Sequence, residues 1–238
     1  MAGASCERGP STTLIITTKG RCVPMDVLID NADRLLDAFV VTLRLFLVSG
    51  TLSLIFGTVL AAMRVGPVSI LNRAGAAYVT IFRNTPLLVL LLFVVFGLPK
   101  LGLNLGYFNM NALALTMYTS TFVCEALRSG VNSIPLGQAE AARSLGLGFN
   151  QTMTQVILPQ SFRAVVPPVA SVLIALTKNT SLCSIFGMAE ATAAMKGLLN
   201  DNPADLWWIF LGIALGYIVI VELISAAAGF LERRWRIA

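Results

Sequence analysis

A chain of 238 residues that is 56% hydrophobic and 12% charged, with mean hydropathy +0.80, lies outside the composition of soluble domains and reads as an all-α polytopic membrane protein. Its net charge of +5 is not a nucleic-acid signature, because no basic cluster carries interleaved aromatics and the arginines fall mainly between or after apolar runs. With no histidine and four cysteines that lack a CxxC spacing, the residues argue against metal and thiol chemistry, and no cofactor is expected.

Residues 1–34 lack the basic start, apolar run and cleavage site of a signal peptide and are expected as an extracytoplasmic tail. From Met25 the tail reads as an amphipathic helix on the membrane surface, Val27, Leu28, Leu35, Leu36 and Phe39 alternating with Asp26, Asp30, Asp33 and Asp37. A transmembrane domain over residues 35–232 follows, with five apolar spans at about 35–63, 74–98, 110–127, 165–188 and 206–231. The first span exceeds the ~30 Å of hydrocarbon at 1.5 Å per residue. Gly50 and Gly57 give it small surfaces for helix contact. In the second, Pro86 removes a backbone hydrogen bond and bends or breaks the helix.

Between the third and fourth spans, residues 138–160 form a polar, helix-prone interruption. Ala139 to Ser144 favour helix, Gly146 and Gly148 allow a left-handed exit or a sharp turn, and Pro159 closes the segment. Loop charge orients the whole. Arg64, Arg73, Arg128, Arg143, Arg163, Arg233, Arg234 and Arg236 lie on one side, and only Lys100 and Lys196 mark the opposite connections. The N-terminus is therefore expected outside and the tail at 233–238 in the cytoplasm.

A charge inside hydrocarbon costs about 2.5 to 3.5 kcal/mol on insertion scales, so each such residue needs a cavity, a partner or a span end. Arg44 can snorkel from the outer end of its span, and Glu222, deep in the fifth, pairs structurally or serves function. The remaining charges belong to polar constellations: Arg83, Asn84 and Thr85 in the second span, Thr121 and Glu125 on one face of the third, Lys178, Asn179 and Ser181 in the fourth. Interrupted helices are tolerated at depth where they line protein or a wet cavity. These residues are candidates for a substrate pathway around a small zwitterion, Arg83 or Lys178 facing a carboxylate and Glu125 an ammonium. The bland alternative is that Glu125 pairs with Arg128 or Lys178 to hold the bundle.

Glu140-Ala141-Ala142, Gly146 and Val156-Ile157-Leu158-Pro159 resemble the cytoplasmic EAA loop of bacterial ABC importer permeases. Phe82-Arg83-Asn84-Thr85-Pro86-Leu87-Leu88 resembles the FRGTPLL signature of the polar amino acid permeases, with Asn84 where Gly is usual. Leu176-Thr177-Lys178-Asn179-Thr180-Ser181-Leu182 resembles their LKxTSL element, and Glu190 falls where they carry an acidic residue. From Tyr118 through Phe149 the chain is especially similar to glutamate importer permeases.

The resemblance implies a type I ABC importer permease fold of five transmembrane helices in a bacterial plasma membrane. It also implies a coupling helix carrying Glu140, Ala141, Ala142, Arg143 and Gly146 that docks on an ATPase. The implied partners are two ATPase subunits, which bind the ATP, a second permease and an extracytoplasmic amino acid-binding protein. No GxxxxGK(S/T) phosphate loop is present, so ATP hydrolysis belongs to a partner and the chain is not an enzyme. A secondary transporter or channel, its intramembrane charges coupled to ions, is the alternative; five spans without an evident repeat argue against it.

Overall fold

The protein is described by a computed structural model over residues 26–234, so the expectations for residues 1–25 and for the tail beyond Arg234 lie outside the described residues. Every regular element among the described residues is helical. A short helix α1 (Asp26–Asp30) leads through Asn31 into α2 (Ala32–Val65). α2 buries a narrow stripe, Ala38, Thr42, Leu45, Ser49, Ser53, Gly57 and Ala61, while Leu36, Val40, Leu47, Ile55 and Val59 on other faces are exposed. Small residues turned inward and large apolar ones turned outward suit a helix packed on protein with lipid at its back.

The second apolar segment is not one straight span. α3 (Ser69–Asn84) and α4 (Leu87–Lys100) meet at 99°, with the break at Thr85 and Pro86. Thr85 closes α3 by donating its N–H and its hydroxyl to the Ile81 carbonyl (3.2 and 2.8 Å), and the proline, having no N–H, cannot extend the ladder. α4 sends Leu87, Leu90, Leu91, Val94 and Val95 into the main core, whereas α3 is tied sideways by Tyr78, whose hydroxyl donates to the Met117 carbonyl at 3.2 Å.

α5 (Tyr107–Asn132) lies at the centre, packed against α2, α3, α4 and α7 (Leu158–Asn179). Three helical segments, Ala32–Val65, Ala164–Phe186 and Pro203–Arg233, are apolar and long enough to cross a membrane, and α3 with α4 makes a fourth if the bent pair is one span. α5, about 39 Å long at 1.5 Å per residue, is too polar to join them on composition. Its Asn111, Thr116, Thr119, Ser120 and Thr121 are buried against protein rather than lipid, and most of their side chains bond within the protein.

The fourth apolar segment departs from the sequence expectation at both of its ends. Pro159 does not end the segment before it: π-helical Thr152–Ile157 runs straight into α7, with Pro159 in the first turn, where its missing N–H and its ring are accommodated by the wider coil. At the other end, Lys178 to Ser181 do not interrupt the helix but tighten it into a 3-10 stretch, Thr180–Phe186, which stops at Gly187 with φ +78°. Chain then re-enters as α8 (Ala191–Asp201) before α9 (Leu206–Arg234).

Candidate functional site

Three groups of residues stand out, and the structure distributes the expected site residues among them. The first projects from the bundle. α6 (Leu136–Ser144) carries Glu140, Ala141 and Arg143 exposed, and buries Ala142. The helix ends in a Schellman closure: the Leu147 N–H donates to the Ala142 carbonyl (3.2 Å) and the Gly146 N–H to that of Arg143 (2.9 Å), with Gly146 at φ +82°. Gly148 is extended, not left-handed, and starts the next turn with its N–H donated to Gln151 Oε1 at 3.0 Å. Leu136 and Leu145, each more than 80% exposed, flank the Glu140 face. Two large apolar side chains thus stand in solvent beside the charged groups of a short helix closed at its C-terminal end.

The second group surrounds Glu125 near the same end. Its carboxylate accepts from Arg64 of α2 through Oε1 and from Arg128 of α5 through Oε2 at 2.8 Å; Arg83 of α3 stands 3.9 Å from Oε2. The Arg83 guanidinium also lies over the Phe122 ring, 5.7 Å from its centre. One carboxylate thus joins three helices and leaves two positive charges in excess. The local partner Arg128 was legible in the sequence; Arg64, marked there only as a topology residue, was not. Thr121, on the same face of α5, is fully buried and donates to the Tyr118 carbonyl at 2.7 Å. Asn84 and Thr85 sit at the α3–α4 break.

Lys178 is not brought to Glu125. It belongs to the third group, a cleft of about 520 Å³ between the end of α7, α8 and α9, with Ser181, Thr192, Tyr217 and Glu222 in its lining. Ser181 donates its hydroxyl to the Lys178 carbonyl at 2.6 Å, and Asn179 is the last α-helical residue beside it. Behind the cleft stands Glu190, fully buried. As the N-cap of α8 it accepts from the backbone N–H groups of Thr192 and Ala193, each at 3.0 Å, and from the Tyr217 hydroxyl at 2.7 Å. Burial pushes the Glu190 carboxyl above the usual carboxylate range, against the pull of those donors. Glutamate is not among the favoured N-cap residues, so the cap had no strong signal in the sequence.

Residues 53–237 match the family described as binding-protein-dependent transport system inner membrane component. The glutamate transport system permease protein GluC of Corynebacterium glutamicum is 42% identical over 217 residues, covering 86% of this chain and 95% of that protein. A probable glutamine ABC transporter permease protein of Bacillus subtilis, GlnM, is 34% identical, covering 88% and 97%. Among solved structures, an amino acid ABC transporter crystallised with histidines superposes with a TM-score of 0.81 at 27% identity, covering 88% of this chain and 98% of its own.

Proposed function

The chain belongs to the family of binding-protein-dependent transport system inner membrane components, and we propose that it carries glutamate, or a closely related polar amino acid, across the plasma membrane under the control of a separate ATPase. It is a permease subunit of an amino acid ABC importer, a transport subunit rather than an enzyme. The 42% identity to a glutamate permease supports glutamate. The observation that carries coupling is the projecting helix α6, with Glu140, Ala141, Ala142 and Arg143 and its Gly146 closure, exposed and unpartnered on all but its Ala142 side.

In this reading an extracytoplasmic binding protein delivers the amino acid to a pair of permeases, the second being identical or homologous. ATP-driven closure of two ATPase subunits, which bind the nucleotide, pushes on α6, and the permeases rock to open inward. The pathway runs from the cleft with Lys178, Asn179 and Ser181 toward the end bearing Arg83, Asn84, Thr85, Thr121 and Glu125. A rigid lever needs a defined end, and the left-handed Gly146 supplies it.

The experiment is charge reversal on the lever. Because Glu140 is exposed and has no ion pair among the described residues, Glu140→Lys changes stability by no more than about 0.5 kcal/mol. ATP-driven uptake in vesicles falls at least about tenfold, and the ATPase no longer copurifies, if the contact with its partner loses about 1.4 kcal/mol or more. Unchanged copurification and uptake would remove α6 as the docking element.

Orientation has its own check. The arginine-rich end, with Arg64, Arg73, Arg128 and Arg143, is assigned to the cytoplasm, which leaves Asn202 outside. In a cysteine-free background, Asn202→Cys reacts with an impermeant thiol reagent on intact cells and Gly148→Cys does not. A side chain at position 148 is sterically free, its nearest neighbour being Gln151 Oε1 at 3.8 Å. The opposite labelling pattern would invert the assignment.

A further inference from the structure

The cleft beside Lys178 holds a second charge, Glu222. Lys178 and Glu222 are both exposed in the subunit, yet both lie within segments apolar enough to cross a membrane. Each such charge costs about 2.5 to 3.5 kcal/mol in hydrocarbon unless water, a partner or a ligand meets it. Neither forms an ion pair among the described residues, with each other or with anything else. They nevertheless line one cleft of about 520 Å³, within the range of about 300 to 1,000 Å³ typical of small-molecule sites.

The rest of the lining is chemically divided. Phe210, Ile213 and Val221 give an apolar floor, while Ser181, Thr192 and Tyr217 add hydroxyls. The hydroxyl wall is built rather than incidental. Tyr217 is committed as a donor to the buried Glu190 at 2.7 Å, and Thr192, 3.2 Å from the Tyr217 hydroxyl, is held by its own N–H to the same carboxylate. Glu190 thereby acts as a positioning residue, holding both side chains on the cleft wall. A cation and an anion that do not neutralise each other, set in an apolar cleft with oriented hydroxyls, match a ligand that carries both charges itself.

We propose that this cleft is a zwitterion site in which Glu222 receives the α-ammonium of the substrate and Lys178 its α-carboxylate. The proposal rests on the reading of the chain as an amino acid permease, and it moves the ammonium partner from Glu125, whose oxygens are taken by Arg64 and Arg128, to the fifth span. The side chain of the amino acid then meets Ser181, Thr192 and Tyr217, which recognise polarity more than charge.

The test uses the complete permease–ATPase complex in detergent, without the binding protein, and the probes L-glutamate and L-glutamine against glutarate and its monoamide, which lack the ammonium. Wild-type complex binds the amino acids at least tenfold more tightly than the deaminated acids. Glu222→Gln loses that discrimination by weakening only the amino acids, and Glu222→Asp retains most of it. A Gln variant that melts no lower than the wild type shows that the effect is not one of folding, and a lower melting temperature with the discrimination intact overturns the proposal. Equal discrimination in wild type and Glu222→Gln overturns the proposal, as does a Gln variant whose permeases fall apart on size exclusion, which would make Glu222 an intersubunit contact. ATP-driven uptake by the wild type, measured in parallel with the binding protein added, tests the underlying reading: uptake without a Glu222 effect refutes the site alone, whereas no amino acid uptake refutes the permease reading and the site with it.

Discussion

Glu125→Gln lowers the melting temperature of the solubilised permease more than replacement of the outermost arginine around it. The carboxylate is 19% exposed, and Arg64, which it holds through Oε1, is 17% exposed. Removing the only carboxylate of the cluster leaves Arg64 and Arg128 facing each other without a counter-charge, and in this half-buried setting the loss is about 2 kcal/mol. Arg83→Gln costs less than about 1 kcal/mol, since that guanidinium is half exposed and 3.9 Å from its partner. The double change Glu125→Gln with Arg64→Met recovers much of the loss. Combination with Lys178→Met is additive within about 0.5 kcal/mol, because Lys178 shares no partner with Glu125. Rescue by Lys178→Met in thermal melts would contradict the separation of the two charges.

The second large effect is steric. At Gly57, where α2 packs on α5, a Cβ would stand 2.5 Å from Val123 Cγ1 and 3.0 Å from the Ser120 carbonyl oxygen. Val123 can turn only into a packed core, and the carbonyl belongs to the α5 backbone, so neither neighbour gives way cheaply. Gly57→Ala therefore costs about 2 kcal/mol, and Gly57→Leu forces the central pair apart, with little folded permease recovered from membranes. Gly50 lies on the same stripe, but a Cβ there meets only Leu176 and Leu173 at 3.5 and 3.7 Å, ordinary contact distances. Gly50→Ala is neutral or slightly stabilising in melting, since alanine is the better helix former, and equal loss at both positions would contradict close approach as the reason for the loss at Gly57.

Composition and periodicity were enough for an all-helical membrane protein, and local chemistry was enough for its punctuation. Pro86 breaks the second segment and Gly146 ends the projecting helix left-handed, because a missing N–H and a missing Cβ act within a few residues of themselves. Apolar runs mark helices that meet lipid, so α2 and α9 were plain, while α5, surrounded by protein, carries polar residues that bond inward and is weaker by hydropathy although it is the centre of the bundle.

What depended on the tertiary structure was which charges meet. Arg64 and Glu125 are 61 residues apart, and nothing near either one announces the other; their pairing exists because α2 packs along α5, with Gly57 leaving room for Val123 and the Ser120 carbonyl between them. Lys178 and Glu222 share a cleft only because the 3-10 turn after Asn179 and the re-entry of α8, capped by Glu190, fold α7 back beside α9. A sequence states how much charge the membrane domain must accommodate, since that cost is carried by each residue type alone; the partner is set by packing, because Coulomb attraction and hydrogen bonding act over a few ångströms of space and are indifferent to separation along the chain.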